Sequence, residues 1–217
     1  GTYVASPSDE PNAASSWPKP ESVVRRAREW FGENGANPGR SSHRPGASAS
    51  TAVRETRQRL ARLLGVPDPE RLAFTAGATH ALNQAMRGLL DPGDHVVTTV
   101  LEHNSVLRPL TALEEERGIE FTAVEPDERG VITPEAVADA LRPSTRMVAI
   151  SHASNILGGV QPVQAIVLEV RKHAGEDVRV LVDAAQTAAC VPIDVDAWDV
   201  DLLAVAGHTG LFGLQGT

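Results

Sequence analysis

Two amphipathic segments, followed by a regular alternation of short apolar runs and helical spacing, make up most of this chain. Residues 21–32 carry Val23, Val24, Ala27, Trp30 and Phe31 three and four apart, with Pro20 where a helix can begin, which predicts a helix with one apolar face. Arg25, Arg26 and Arg28, interleaved with Glu21 and Glu29, read as its solvated face. A Gly-, Pro- and Ser-rich stretch over 34–50 predicts a loop, and Val53, Leu60, Leu63 and Leu64 predict a second helix over 51–64 that Gly65 stops. Beyond it, apolar runs at 72–74, 95–98, 119–124, 147–150, 178–182 and 202–205 are separated by helical segments around 79–90, 105–117, 134–141 and 163–174. Alternation of this kind predicts an α/β fold, a mostly parallel sheet flanked by helices on both faces. Residues 1–20 are rich in Ser, Pro, Asn and Ala without periodicity and predict an N-terminal arm, leaving 21–217 as one large domain.

Composition narrows the function classes. With 217 residues, 41% of them hydrophobic and 22% charged, the chain can bury one sizeable core. A net charge of −8 argues against a nucleic-acid partner, because no basic face is available to neutralise a phosphate backbone. No apolar stretch approaches the roughly 20 residues needed to span a bilayer, and residues 1–20 lack the basic and apolar regions of a signal peptide, so no membrane partner is expected. The single cysteine, Cys190, excludes an intrachain disulfide framework and fits a cytoplasmic location. Its apolar setting, Ala188-Ala189-Cys190-Val191-Pro192, reads as a small buried hydrophobe rather than a reactive thiolate.

In parallel sheets ligands bind beyond the carboxyl ends of the strands, and the conspicuous polar residues follow the apolar runs. Phe74-Thr75-Ala76-Gly77-Ala78-Thr79 leads into a helix near Thr79, where small residues and free N–H groups suit a phosphate; a plain turn with Thr79 as N-cap fits the same residues. Asp183 closes a Val and Leu run, where a carboxylate needs a partner: a ligand's cationic ring nitrogen, a nearby Arg, or a helix N-terminus. His103 could stack on a flat ring and move protons, or simply cap a helix. His152, Asn155 and Gln186 could bond a ligand oxygen or satisfy loop backbone. A metal site from His103, His152, Asp183 and His208 has no close ligand spacing to support it, so no metal is expected.

Taken together, these segments resemble the class V aminotransferase group of fold-type I pyridoxal-phosphate (PLP) enzymes, and within it the cysteine desulfurase and selenocysteine lyase branch. The resemblance is carried by Asn12-Ala-Ala-Ser-Ser-Trp17-Pro-Lys-Pro20, Gly35-Ala-Asn37-Pro-Gly39-Arg40-Ser-Ser-His43-Arg44, Phe74-Thr-Ala-Gly77-Ala-Thr79-His-Ala-Leu-Asn83, Leu101-Glu-His103-Asn104-Ser-Val-Leu-Arg108-Pro, Ser151-His152-Ala-Ser-Asn155, Val182-Asp183-Ala-Ala-Gln186-Thr and Gly207-His208. It implies the PLP-transferase large domain and a cofactor bound by seven residues. Ala78 and Thr79 would hold the phosphate and His208 would reach it. His103 would stack on the pyridine ring, Asn155 would lie near the ring substituents, Asp183 would pair with the ring nitrogen and Gln186 would bind the phenolic oxygen. The implied substrate is cysteine or a related amino acid, and the implied assembly a homodimer.

Three departures qualify the activity. Thr209 stands where the resemblance requires the Schiff-base Lys, and a hydroxyl can neither tether PLP covalently nor shuttle the substrate proton. The only lysines are Lys19 and Lys172, neither expected to take over. Pro11 and Leu214 replace a usual Asp and Pro, and the smaller C-terminal domain, with its mobile Cys loop and carboxylate-binding Arg, is absent from these 217 residues. Two readings follow. One is a Lys-lacking or truncated member of the C–S lyase group, holding PLP noncovalently or completed by a partner chain. The other is a non-catalytic relative, a pseudoenzyme serving as a binding or dimerisation module. On physical pattern alone a generic nucleotide-binding module remains, without any phosphate-loop fingerprint.

Overall fold

Five of the predicted apolar runs form strands in the computed structural model, which describes residues 16, 18–39 and 43–216. The strands are β1 (His95–Thr99), β2 (Glu120–Val124), β3 (Thr145–Ser151), β4 (Arg179–Asp183) and β5 (Leu202–Ala204). The helices are α1 (Glu21–Glu33), α2 (Arg44–Leu64), α3 (Ala78–Leu89), α4 (Asn104–Arg117), α5 (Pro134–Asp139) and α6 (Val163–Ala174). The strand order is β2-β1-β3-β4-β5, and each of these pairings is parallel.

Alternation along each strand feeds two cores, because successive side chains leave opposite faces of the sheet. Val96, Met147, Ala149 and Leu181 pack with Leu82 and Met86 of α3 and Val106 and Leu110 of α4. Val97, Val148, Ile150 and Val182 pack instead with Val137 of α5 and Ile166, Val167 and Val170 of α6. Coverage on both faces explains why the central strands read as continuous apolar runs rather than as an apolar-polar alternation. The polar His95, buried at the start of β1, keeps both ring nitrogens bonded, to Thr145 at 2.8 Å and Thr122 at 2.9 Å. From β1 the chain first adds β2 on one side, then crosses back to build β3, β4 and β5 on the other. That reversal opens a crevice beyond the carboxyl ends of β1 and β3.

Three sequence expectations change. Residues 72–74 form no strand: they follow a 3-10 turn at Pro69–Arg71 capped by Asp68, and Phe74 is 52% exposed, so no strand pairing or core holds this short run. Helix α2 begins at Arg44 instead of residue 51, because His43 accepts the Gly46 N–H and Pro45 sits in the first turn, an N-terminal signal stronger than the Gly- and Ser-rich composition. Helix α1 exists as expected, with exposed Arg25 and Arg26 beside Glu29, yet none of its residues is buried.

At the far end of α2, Gly65 takes φ +65°, and a Cβ there would clash with Asp194. The absent side chain lets Leu64 and Gly65 carbonyls accept the N–H groups of Val195 and Asp196, which seats α2 against the segment leading to β5. On the α6 side, Arg171 donates to Asp199, Asp201 and the Val178 carbonyl, tying the helix to both strands at that edge.

Candidate functional site

A cavity of about 360 Å³ lies at the carboxyl edge of the sheet, and Ala78, Thr79, His103, Asn155, Asp183, Gln186, His208 and Thr209 all line it. They come from five separate stretches of chain. Gly77 introduces the first: its φ of +107° turns the backbone into α3, and as N-cap it carries no side chain to bond the opening N–H groups of the helix. The first turn therefore presents bare N–H groups beside Ala78 and Thr79, an arrangement that favours an anion. Thr79 is not the cap. Its hydroxyl bonds Ser105 Oγ at 2.8 Å, and Ser105 Oγ lies 2.7 Å from His103 Nδ1.

His103 is the N-cap of α4, accepting the Ser105 N–H at 3.1 Å, so the capping role that the sequence left open and a place on the cavity wall belong to the same residue. Across from it, Asp183 ends β4 with 7% exposure. Its carboxylate accepts the Ala185 N–H at 2.9 Å, the one hydrogen bond described for it. Burial raises its pKa above the usual carboxylate range, against the pull of the Ala185 N–H and of His103. Such a carboxylate, facing a cavity, is a site for a cationic or N–H partner.

Asp183 stands in register with Ser151 on β3, and Ser151 leads to Glu102, a buried acid that sequence reasoning quoted within a motif but did not single out. Thr99 donates its hydroxyl and Ser151 its N–H to Glu102, and the Ser151 hydroxyl lies 2.6 Å from the other carboxyl oxygen. Burial pushes Glu102 up to about 7 in spite of these donors, and the Asp183 charge adds to the push. Its adjacency to His103 is the only sequence signal that could have found it.

At the third side of the cavity, Thr209 donates its hydroxyl hydrogen to the carbonyls of Ala185 at 2.6 Å and Ala206 at 2.9 Å. The side chain is thus spent on fastening its own loop to the turn after β4. Lys19 lies nearer than its sequence position implies: its amine donates to Ser16 Oγ at 2.9 Å and to the His208 carbonyl at 3.3 Å, although it does not line the cavity. Lys172 is exposed on α6 and pairs with Glu169.

His152 is set apart from the others. It is buried, its Nδ1 bonds Thr187 at 2.9 Å, its ring meets Trp198 edge-on, and burial lowers its pKa. It belongs to the core rather than the cavity. Among the described residues no group of three His, Cys, Asp or Glu side chains could hold a metal ion. Cys190 corrects the sequence reading: it is exposed, at the end of the turn after β4 and next to Ala189, whose φ is +66°.

A parallel sheet with a crevice at its strand-order reversal, bounded by an uncapped helix N-terminus and a buried acid, defines an α/β domain of the class in which such a crevice is the usual place for a ligand. The chain belongs to the aminotransferase class-V family, whose model matches residues 11–217. It is 34% identical over 200 residues to the cysteine desulfurase IscS of Dictyoglomus turgidum, covering 90% of this chain and 49% of that protein. It is 37% identical over 209 residues to a probable cysteine desulfurase of Methanothermobacter thermautotrophicus, covering 95% and 50%. The solved structure of SspA in complex with cysteine superimposes with a TM-score of 0.84 at 32% identity, over 94% of this chain and 58% of that one. The chain spans about half the length of the curated relatives it matches. Among the described residues no helix is long and apolar enough to cross a membrane.

Proposed function

We propose that the cavity is a pyridoxal-phosphate site and that the chain is the large domain, residues 21–217, of a cysteine desulfurase-like protein acting on cysteine-type C–S bonds, with the covalent anchor missing at Thr209. The observation that carries this reading is Asp183, a buried carboxylate with one described donor, lining the same cavity as an uncapped helix N-terminus. A ring that carries a cationic nitrogen and a phosphate would use both features.

When bound, the cofactor supplies an electron sink for bonds at the substrate's α-carbon. The chain's own residues do the rest. Asp183 would hold a proton on the ring nitrogen by charge, and the N–H groups at Ala78 and Thr79, with His208, would bind the phosphate. His103, held by Ser105, would stack on the ring and could move a proton. Gln186 and Asn155, on the cavity wall, would donate to ring oxygens. Without an amine at 209, binding is noncovalent.

A specific observation favours the second reading, a non-catalytic relative: the Thr209 hydroxyl is engaged by two backbone carbonyls, so this position is adapted to what it carries. Titration of the protein with PLP, followed by cysteine with sulfide detection, for wild type and Thr209→Lys, separates the readings. The cofactor-site reading expects saturable binding in both and a visible imine band only in the Lys variant. Sulfide from wild type makes it an enzyme as it stands; binding without sulfide makes it a relative that keeps the pocket. No PLP binding in either variant ends the proposal, and saturable ATP or NAD binding in its place would restore the nucleotide reading.

For assembly we propose a homodimer. Support comes from α1, which buries no residue, and from Phe31, Ile156 and Leu157, exposed by 77%, 84% and 60%, the last two just after the cavity residue Asn155. A single cysteine suits a reducing cytoplasm, the location proposed here.

A further inference from the structure

Glu102 plays no part in the cofactor contacts above, yet it bridges the crevice in which they lie. The winding of the sheet reverses between β1 and β3, and this carboxyl spans the gap. Its Oε1 accepts the hydroxyl of Thr99, at the end of β1, at 2.7 Å and the N–H of Ser151, at the end of β3, at 2.9 Å. Its Oε2 lies 2.6 Å from Ser151 Oγ. Ser151 lines the cavity and is the register partner of Asp183.

The charged surroundings decide what such a carboxyl can be. From β4 it faces Asp183, a like charge; His103 follows it in the chain and bonds Ser105; His152 follows Ser151 but directs its ring to Thr187 and Trp198. Among the described residues no Lys or Arg pairs with it. A buried acid without a cation, beside a second acid, is stabilised by keeping a proton. With Oε1 already accepting from two donors, that proton has one place to go, Oε2, where Ser151 Oγ is the acceptor.

We propose that Glu102 is a positioning residue: as a neutral acid it donates to Ser151 Oγ, which frees the Ser151 hydroxyl hydrogen to donate to a ligand in the cavity. Once ionised, Glu102 takes that hydrogen back and adds a second negative charge behind Asp183. Burial and the Asp183 charge hold the proton on up to about pH 7, so the change falls in the neutral range. The identity of the ligand rests on the PLP reading; the state of Glu102 does not.

Glu102→Gln reproduces the neutral acid, with an amide oxygen for Thr99 and the Ser151 N–H and an amide N–H for Ser151 Oγ. In protein carrying ¹³C-carboxyl glutamate, the resonance lost in this variant is expected to titrate near 7; a midpoint in the ordinary glutamate range overturns the proposal. PLP affinity is then compared at about pH 6 and about pH 8, on either side of that midpoint. Wild type and Glu102→Gln are expected to agree at the lower pH and to differ several-fold at the higher, where wild type weakens. In a Ser151→Ala background the same Glu102 substitution is expected to lose most of its effect, leaving only what the charge itself carries. A pH dependence that Glu102→Gln leaves intact, or an effect that persists undiminished without the Ser151 hydroxyl, overturns the coupling. If no variant binds PLP, the cofactor reading fails, while the carboxyl midpoint still decides the state of Glu102.

Discussion

At Asp183 a carboxylate is buried with a single described backbone donor, a condition that a cationic ring nitrogen relieves and an empty cavity does not. Replacing it by Asn removes the charge and keeps the shape, and a charge-assisted hydrogen bond of about 1.5–3 kcal/mol translates into PLP affinity weaker by roughly 10- to 100-fold. Fluorescence titration of Asp183→Asn against wild type checks this; equal affinity would mean the ring nitrogen lies elsewhere. Glu102 makes its own signature in the protein without ligand. A carboxyl raised from 4.5 to about 7 gives stability that is full below pH 4.5 and is lost as pH rises through about 7. Chemical denaturation across that range is expected to show wild type losing up to about 3 kcal/mol relative to Glu102→Gln, the other shifted groups cancelling because both proteins contain them. A flat difference would mean that Glu102 titrates normally. Neither the Glu102–Ser151 bridge nor its consequence was legible in the sequence, since the partners are 49 positions apart and only the sheet brings them together. His103, Asn155, Asp183, Gln186 and His208 were legible because each follows an apolar run that became a strand and a parallel sheet sends the ends of those strands to one edge, whereas Ala78 and Thr79 reach the cavity from the start of α3 with no described strand before them. Cys190 misled through its apolar neighbours: apolar sequence neighbours do not determine which side chains a loop buries.

Among the elements, α3 matters most to the site because its first turn faces the cavity, and Gly77 at φ +107° is what aims it there. An alanine in that extended positive-φ conformation costs roughly 1–3 kcal/mol, a strain that moving the helix start would relieve. Gly77→Ala is therefore expected to weaken binding of PLP, and of inorganic phosphate as a competitor, more than it lowers the denaturation midpoint. The opposite ranking would make Gly77 a purely structural residue. The runs that became the central strands β1, β3 and β4 were readable because burial on both faces favours continuous apolar residues, while the edge strands β2 and β5 are partly exposed. The run at 72–74 has no such coverage and forms no strand, and α2 starts early because a capping histidine and a proline outweigh Gly and Ser in its first turns. The existence and type of most elements were in the pattern; their lengths and edges lay in capping contacts that the pattern does not record.

For the molecule as a whole, a sheet with a core on each face leaves several large apolar side chains exposed, the most exposed of them Ile156 and, on α1, Phe31. Light scattering coupled to gel filtration is expected to give twice the 23.0 kDa chain mass at micromolar concentration, and Ile156→Asp to shift it toward the monomer. A monomeric wild type would assign that surface to a different partner. The central claim, a cofactor pocket that persists without its tethering amine, is tested most directly by a crystal structure of the wild-type protein soaked in PLP. The account predicts a ring under the His103 imidazole, its nitrogen at Asp183, its phosphate at the start of α3 and a gap to Thr209 with no covalent bond. A clean cavity at saturating ligand, or a ring bound anywhere else, would contradict it.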